Sequence, residues 1–147
     1  MILGIGVDLV AVHRLVQLWA RHGERLAKRL LSPEERQEFV ERLAAFALPA
    51  ADEVALVRDA WAARFLAKRF AAKEAFAKAW GSGIGRELAF SDLTLAHHRS
   101  GQPYWRFSSR FAGAWMARRA HTAHLSLTDE ADQVIAFVVI EGDASDG

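Results

Sequence analysis

A single long helix is the feature that most limits what this chain can become. From about Glu53 to Trp80 the sequence reads as one helix, with Asp52 placed to cap its start. Trp61, Phe65, Ala72 and Phe76 fall on one side of it and predict a core-facing stripe. Gly81-Ser82-Gly83-Ile84-Gly85 then stops the helix with residues that tolerate left-handed backbone. A chain of 147 residues has room for one domain, so the other elements must be built around this spine.

Met1 to Val7 is apolar and ends at Asp8, which predicts a short buried strand with a carboxylate at its exit. Leu9, Val12, Val16 and Trp19 repeat at helical spacing after it, and Gly23 ends or bends that helix. Ser32-Pro33-Glu34-Glu35 is a helix start with Ser at the N-cap, Pro at the first position and Glu three residues after the cap. Ala47 to Ala51 reads as a connector into the long helix. Beyond the glycines, Leu93 to Ala96 and Tyr104 to Phe107 predict a hairpin around Ser100-Gly101-Gln102-Pro103. Ser109 to Arg119 reads as a short helix. His124 to Leu127 and Val134 to Ile140 predict a second strand pair joined through Thr128-Asp129-Glu130. Helices and antiparallel strands in separate blocks give an α+β class, with a domain over residues 1–141 and a disordered tail over 142–147.

Several function classes are excluded early. The chain has no cysteine, so thiolate catalysis, Fe–S clusters and thiolate-bound zinc are ruled out, and any metal must use oxygen or imidazole. No apolar run approaches the ~20 residues of a membrane span, and no signal-peptide pattern stands at the start; a soluble, cytoplasmic protein is expected. A net charge of +1 gives no global field for nucleic acid. The charge is local instead: between His13 and Arg29 lie Arg14, Arg21, Arg25, Lys28 and Arg29 against the single acid Glu24, which would favour an acidic partner.

Two readings stand for each candidate site residue. Glu74 and Lys78 share a helix face turned away from Phe65 and Phe76. They form either an exposed i,i+4 ion pair worth about 0.2–0.5 kcal/mol or the wall of a crevice, since Ala63, Ala67 and Ala71 lie near that face and leave room for a ligand or another backbone. Asp8 is either a helix cap or, with Glu74, half of a hard-oxygen site of the type Mg²⁺ prefers. Gly81 and Gly83 either end the helix or offer backbone N–H groups to phosphate. His124 is either a half-buried strand residue or a ligand contact. Arg69 and Lys73 lie on other faces of the helix than Lys78, and Arg69 reads equally as an ion-pair partner.

Gly4-Ile5-Gly6-Val7-Asp8, the run from Phe70 to Ile84 containing Lys73-Glu74-Ala75 and Lys78, Gly101-Gln102-Pro103 and His124-Leu125-Ser126-Leu127 together resemble the holo-acyl-carrier-protein synthase family of 4′-phosphopantetheinyl transferases. The resemblance covers nearly the whole chain. It implies one transferase domain with its long helix packed on an antiparallel sheet, moving the phosphopantetheine arm of coenzyme A onto a serine of apo-acyl carrier protein. It further implies Mg²⁺ on Asp8 and Glu74, and Lys78 on the coenzyme A phosphates, with Arg69, Lys73, Gly81, Gly83, Pro103 and His124 as further coenzyme A contacts. Glu74 is the candidate for taking the serine proton. Arg14, Leu18, Arg21 and Arg25 become the docking stripe for an acidic carrier, and a homotrimer with sites between subunits is implied. The chain departs from the family at Asp129, where many relatives have His, at Gln102, where Lys is common, and in a longer segment from Ala44 to Trp61. A non-catalytic module for an acidic partner is the rival reading; it leaves Asp8, Glu74 and Lys78 without a task.

Overall fold

The computed structural model describes residues 1–46 and 52–143. Helix α4 (Asp52–Trp80) is the spine, and the predicted connector at 47–51 lies outside the described residues. Before it come strand β1 (Ile2–Ala11) and helices α1 (Val12–His22), α2 (Glu24–Leu30) and α3 (Pro33–Ala44); after it a 3₁₀ turn (Phe90–Asp92), the hairpin β2 (Leu93–His97) and β3 (Pro103–Phe107), helix α5 (Ser109–Ala117), and strands β4 (Ala120–Glu130) and β5 (Gln133–Gly142). The sheet β1-β5-β4 is antiparallel throughout and packs on α4, while β2 and β3 form a separate pair. The expected α+β architecture is therefore present.

Close packing of β1 on α4 sets the geometry of everything that follows. A Cβ added at Gly4 would lie 1.9 Å from the Ala79 carbonyl oxygen, and one at Gly6 would lie 1.9 Å from that of Ala75. Helix and strand backbones touch there because neither glycine has a side chain and the helix presents alanines. Gly6→Ala is expected to force the two apart, costing about 1–3 kcal/mol or more and moving Asp8, two residues on; thermal melting together with a turnover assay reads both effects.

Alternation along β1 turns Gly4, Gly6, Asp8 and Val10 toward α4, in register with Ile140, Val138, Ala136 and Val134 of β5. Ile5, Val7 and Leu9 face the other way with Val139, Phe137 and Ile135. The predicted short buried strand is thus corrected: β1 runs on to Ala11, only one face is covered, and Asp8 sits inside the strand. Helix α1 begins at Val12 with Ala11 at its N-cap and no side-chain cap, so Asp8 caps nothing and Leu9 is a strand residue. Gly23, at φ 50°, separates α1 from α2 as foreseen. The capping box of Ser32 and Glu35 at α3 is also present.

From Ala62 to Trp80 most of α4 is buried, so the predicted one-sided stripe is too narrow. Phe65 and Trp61 pack on Phe39, whereas Phe76 and Trp80 join Phe107, Phe111 and Trp115 on another side. Sheet, hairpin and α1–α3 surround the helix, which is why alanines recur on every face.

Two strand ends also differ from expectation. Thr128, Asp129 and Glu130 belong to β4, and the chain turns at Ala131 and Asp132. Asp129 is unusual for a strand interior, but it faces α4 and meets two cations there. Strand β5 extends through Gly142, whose N–H donates to the Met1 carbonyl while the terminal ammonium donates to its own carbonyl at 2.6 Å. Gly142 therefore belongs to the sheet, and residues 144–147 lie outside those described.

Candidate active site

Gly6 lets β1 lie on α4, so Asp8 arrives beside the last turns of that helix. Lys78 Nζ donates to Asp8 Oδ1 at 2.9 Å and to the Val7 carbonyl at 2.9 Å. Its partner is thus Asp8 across the interface, not Glu74 along the helix. The other Asp8 oxygen, Oδ2, is buried without a hydrogen-bond partner. Glu74, one turn before Lys78, is half-buried, and among the described residues its carboxylate makes no hydrogen bond or ion pair. Burial pushes the Glu74 pKa up, the Asp8 carboxylate pushes it further, and the Lys78 ammonium opposes both.

An orphaned carboxylate oxygen beside a second carboxylate suits a small hard cation. Among the described residues no group of three or more His, Cys, Asp or Glu forms a closed cage. A site of two carboxylates leaves the remaining positions to water and phosphate oxygens, as Mg²⁺ commonly arranges. The residues present fit such an ion.

Glu74 opens into a cavity of about 520 Å³ whose wall includes Arg14, Leu18, Arg25, Arg29, Phe70 and Phe90. Three of the four predicted docking residues therefore meet Glu74 in one place. The fourth, Arg21, lies beside it in a shallow cleft shared with Arg14 and Leu18. Arg29, Phe70 and Phe90 were not singled out by sequence. Arg29 belongs to the same basic run, but nothing local marks Phe90 as a wall residue; only the return of the chain after the glycine stop places it there.

Lys73, Arg69, Gly81 and Gly83 are corrected as coenzyme A contacts. Lys73 is fully buried, and its ammonium donates to Glu35 Oε2, to the Leu30 carbonyl and to the Phe90 carbonyl. Three acceptors use all three protons, so none remains for a phosphate. Burial pushes its pKa down, and Glu35 counters that shift. Arg69 is buried as well, with its guanidinium 3.5 Å from the Phe65 ring centroid and 3.5 Å from Glu38, which makes it the structural partner of the alternative reading. The N–H groups of Gly81 and Gly83 both donate to the Ala77 carbonyl; their positive φ closes the helix, and these amides are unavailable to an anion. Pro103 pairs with His97 at the hairpin tip and is absent from the wall of the Glu74 cavity.

His124 lies in register with Val139 and Ile5, on the face of the sheet opposite to Asp8, and pairs with Glu141 at 2.7 Å. The sheet itself separates it from the Asp8 site of its own chain. Asp129, the family departure, binds Arg64 and Lys68 of α4 at 2.9 Å each. The Lys68 hydrogen bond is the main cause holding its carboxyl below the usual range, with Arg64 adding to it. Because the folded pKa is depressed, this stabilisation is present above the ordinary Asp value near 3.9 and is lost as pH falls through the folded one. Asp129→Asn is accordingly expected to flatten the acid limb of a stability-versus-pH curve while leaving its slope near neutrality unchanged, as denaturant titrations at several pH values would show.

The family model of the 4′-phosphopantetheinyl transferase superfamily matches residues 4–138. A holo-[acyl-carrier-protein] synthase of Aromatoleum aromaticum is 43% identical over 141 residues, covering 96% of this chain and 98% of the relative. The crystal structure of the Neisseria meningitidis holo-[acyl-carrier-protein] synthase superposes with a TM-score of 0.80 at 36% identity, covering 96% of this chain and 99% of that one. A Bacillus anthracis holo-(acyl-carrier-protein) synthase in complex with CoA (3′,5′-ADP) superposes at 0.70 with 28% identity, covering 97% and 99%. With this similarity running along nearly the full length, the chain belongs to the 4′-phosphopantetheinyl transferase superfamily and, within it, to the holo-[acyl-carrier-protein] synthases.

Proposed function

We propose that the chain transfers 4′-phosphopantetheine from coenzyme A to a serine hydroxyl of apo-acyl carrier protein, releasing 3′,5′-ADP. The observation that carries this reading is Glu74 in the wall of a basic cavity, with the Asp8–Lys78 pair close enough to act on its charge. The serine oxygen attacks the phosphorus that bears the pantetheine arm, the bond to the leaving ADP phosphate breaks, and the serine proton must be taken up. In this reading Glu74 takes that proton, its carboxylate making no competing hydrogen bond or ion pair among the described residues. Mg²⁺ held by Asp8 and Glu74 would supply charge neutralisation on the pyrophosphate. Lys78, paired with Asp8 at 2.9 Å, would add a second cation for the same phosphates. No protein nucleophile is needed, in keeping with a chain that has no cysteine.

Arg14, Leu18, Arg21 and Arg25 present an acidic carrier with cations and an apolar contact next to Glu74. The outer face of the sheet supports assembly as a homotrimer: Ile5, Val7, Leu9, Ile135 and Phe137 are 56%, 52%, 54%, 40% and 42% exposed, a contiguous apolar surface of the kind proteins cover. His124 shares that face, so it reaches a coenzyme A only on a neighbouring copy. None of the described helices is long and apolar enough to cross a membrane, which suits work in the cytoplasm on carriers of fatty acid biosynthesis. Mass spectrometry of a purified apo-carrier after incubation with the protein, coenzyme A and Mg²⁺ tests the reading. A gain of one phosphopantetheine is expected; an unchanged carrier mass overturns it.

A further inference from the structure

Helix α2 separates two cavities. Leu26, Arg29 and Leu30 line the Glu74 cavity, whereas Glu24, Ala27 and Lys28 line a second one of about 600 Å³ against α3 and the start of α4; Arg25 borders both. The spacing is that of two faces of one helix with Arg25 on the crest between them. The second cavity has Phe39, Val40 and Leu43 of α3 along an apolar wall, and Lys28, Arg36 and Arg58 as its cations. Arg58 is held by Asp59 at 3.2 Å. Among the described residues Arg25, Lys28 and Arg36 make no ion pair or side-chain hydrogen bond, and Val40 stands 53% exposed beside them. Unpaired cations around exposed apolar surface match an acidic helix with an apolar side chain between its acids. Glu24 is the one acid in the wall, so the cations outnumber it.

We propose that the acidic carrier docks astride α2, presenting its serine to the Glu74 cavity and seating an acidic, partly apolar flank in the second cavity against Lys28, Arg36 and Val40. This inference rests on the function proposed above and extends the docking surface beyond the α1 stripe. It uses Arg25 as the shared contact, which accounts for a basic run that continues past Gly23 on a helix of its own.

The test is the full-length double variant Lys28→Glu/Arg36→Glu, with Val40→Asp as a second variant, assayed against an apo-carrier and titrated directly with a fluorescently labelled carrier in the absence of coenzyme A. Neither side chain of the double variant is buried, and thermal melting verifies that each protein is folded. The carrier KM and the carrier Kd are each expected to rise about 10-fold or more, as opposed charges across an interface become like charges, and the salt dependence of Kd should become shallower. The KM for coenzyme A serves as the internal control. A carrier Kd within about twofold of wild type across the salt series would overturn the proposal, as would a rise confined to the coenzyme A KM. Wild-type protein that binds the carrier but adds no mass to it would instead sink the proposed function, and the direct titration would still decide where the carrier sits.

Discussion

Glu74→Gln is expected to abolish carrier loading, by a factor of about 10²–10⁴ or more, in a protein that still folds. The amide keeps the shape of the carboxyl but cannot accept the serine proton and is a poor ligand for a hard cation. Nothing structural is lost with the charge, because among the described residues the Glu74 carboxylate makes no hydrogen bond or ion pair. The pKa shift fixes the sign of the stability change. A carboxyl whose folded pKa is raised holds its proton longer in the fold than in the unfolded chain, so ionised Glu74 disfavours folding at neutral pH. The Gln variant should therefore melt slightly above wild type at pH 7, and that advantage should vanish below the ordinary Glu value near 4.3. Melting curves at both pH values, beside mass spectrometry of the carrier, read the two effects separately. Loading within about threefold of wild type would leave proton acceptance to some other group.

Lys73→Met is expected to have the opposite profile, striking the fold first. The ion pair of Lys73 with Glu35 is completely buried, and removing one partner of such a pair typically costs about 3–5 kcal/mol because the other is stranded. Against a total stability of roughly 5–15 kcal/mol for a domain, that is a large share, and it corresponds to a fall in Tm on the order of 10 °C for a chain of this size. The stranded Glu35 also accepts from Ser32 N and Leu95 N, so it cannot swing out to water without breaking the cap of α3 and the tie to β2. Lys73 meanwhile stops holding the end of α2 and the 3₁₀ turn by their carbonyls. Urea titration measures the loss. Adding Glu35→Gln should restore part of it, since the unpaired charge disappears while one acceptor oxygen remains. A drop below about 1 kcal/mol in the single variant would show that Glu35 finds another partner.

Lys73 and Glu74 are neighbours in sequence with opposite fates, and the contrast shows what could be read in advance. The long helix, the Ser32–Glu35 start, the hairpin and the stop at Gly81 all depend on local rules of capping, turn chemistry and periodicity, and each stands in the structure. Residue types and spacing leave Asp8 and Glu74 open between a cap with a surface ion pair and a hard-oxygen site; the family resemblance selects the second. What escaped local rules is long-range. A lysine on a helix that is enclosed on all sides reads as solvent-facing until α2, α3 and the 3₁₀ turn close over it. Gly81 and Gly83 carried two meanings, and the shared Ala77 acceptor selects the helix stop. The apolar run from Met1 to Val7 ends at Asp8 and so predicts a strand exit there; Asp8 is held within β1 by pairing with β5 and by Lys78. Asp129 repeats this pattern, drawn into β4 by the two cations of α4.

Strand β1 is a two-sided element, and this bears on how the proposed assembly can be tested. The obvious positions are the exposed apolar residues of the outer face, and they are unequal. Val7 points outward, yet its carbonyl is one of the two acceptors of Lys78 and its neighbour is Asp8, so a polar group introduced there would pull on the Asp8–Lys78 contact through a single peptide unit. On β5, Phe137 lies directly opposite Val7, whereas Ile135 lies opposite Leu9. Substitution at Ile135 is the one that would report the proposed assembly with least disturbance of the Val7–Lys78 contact.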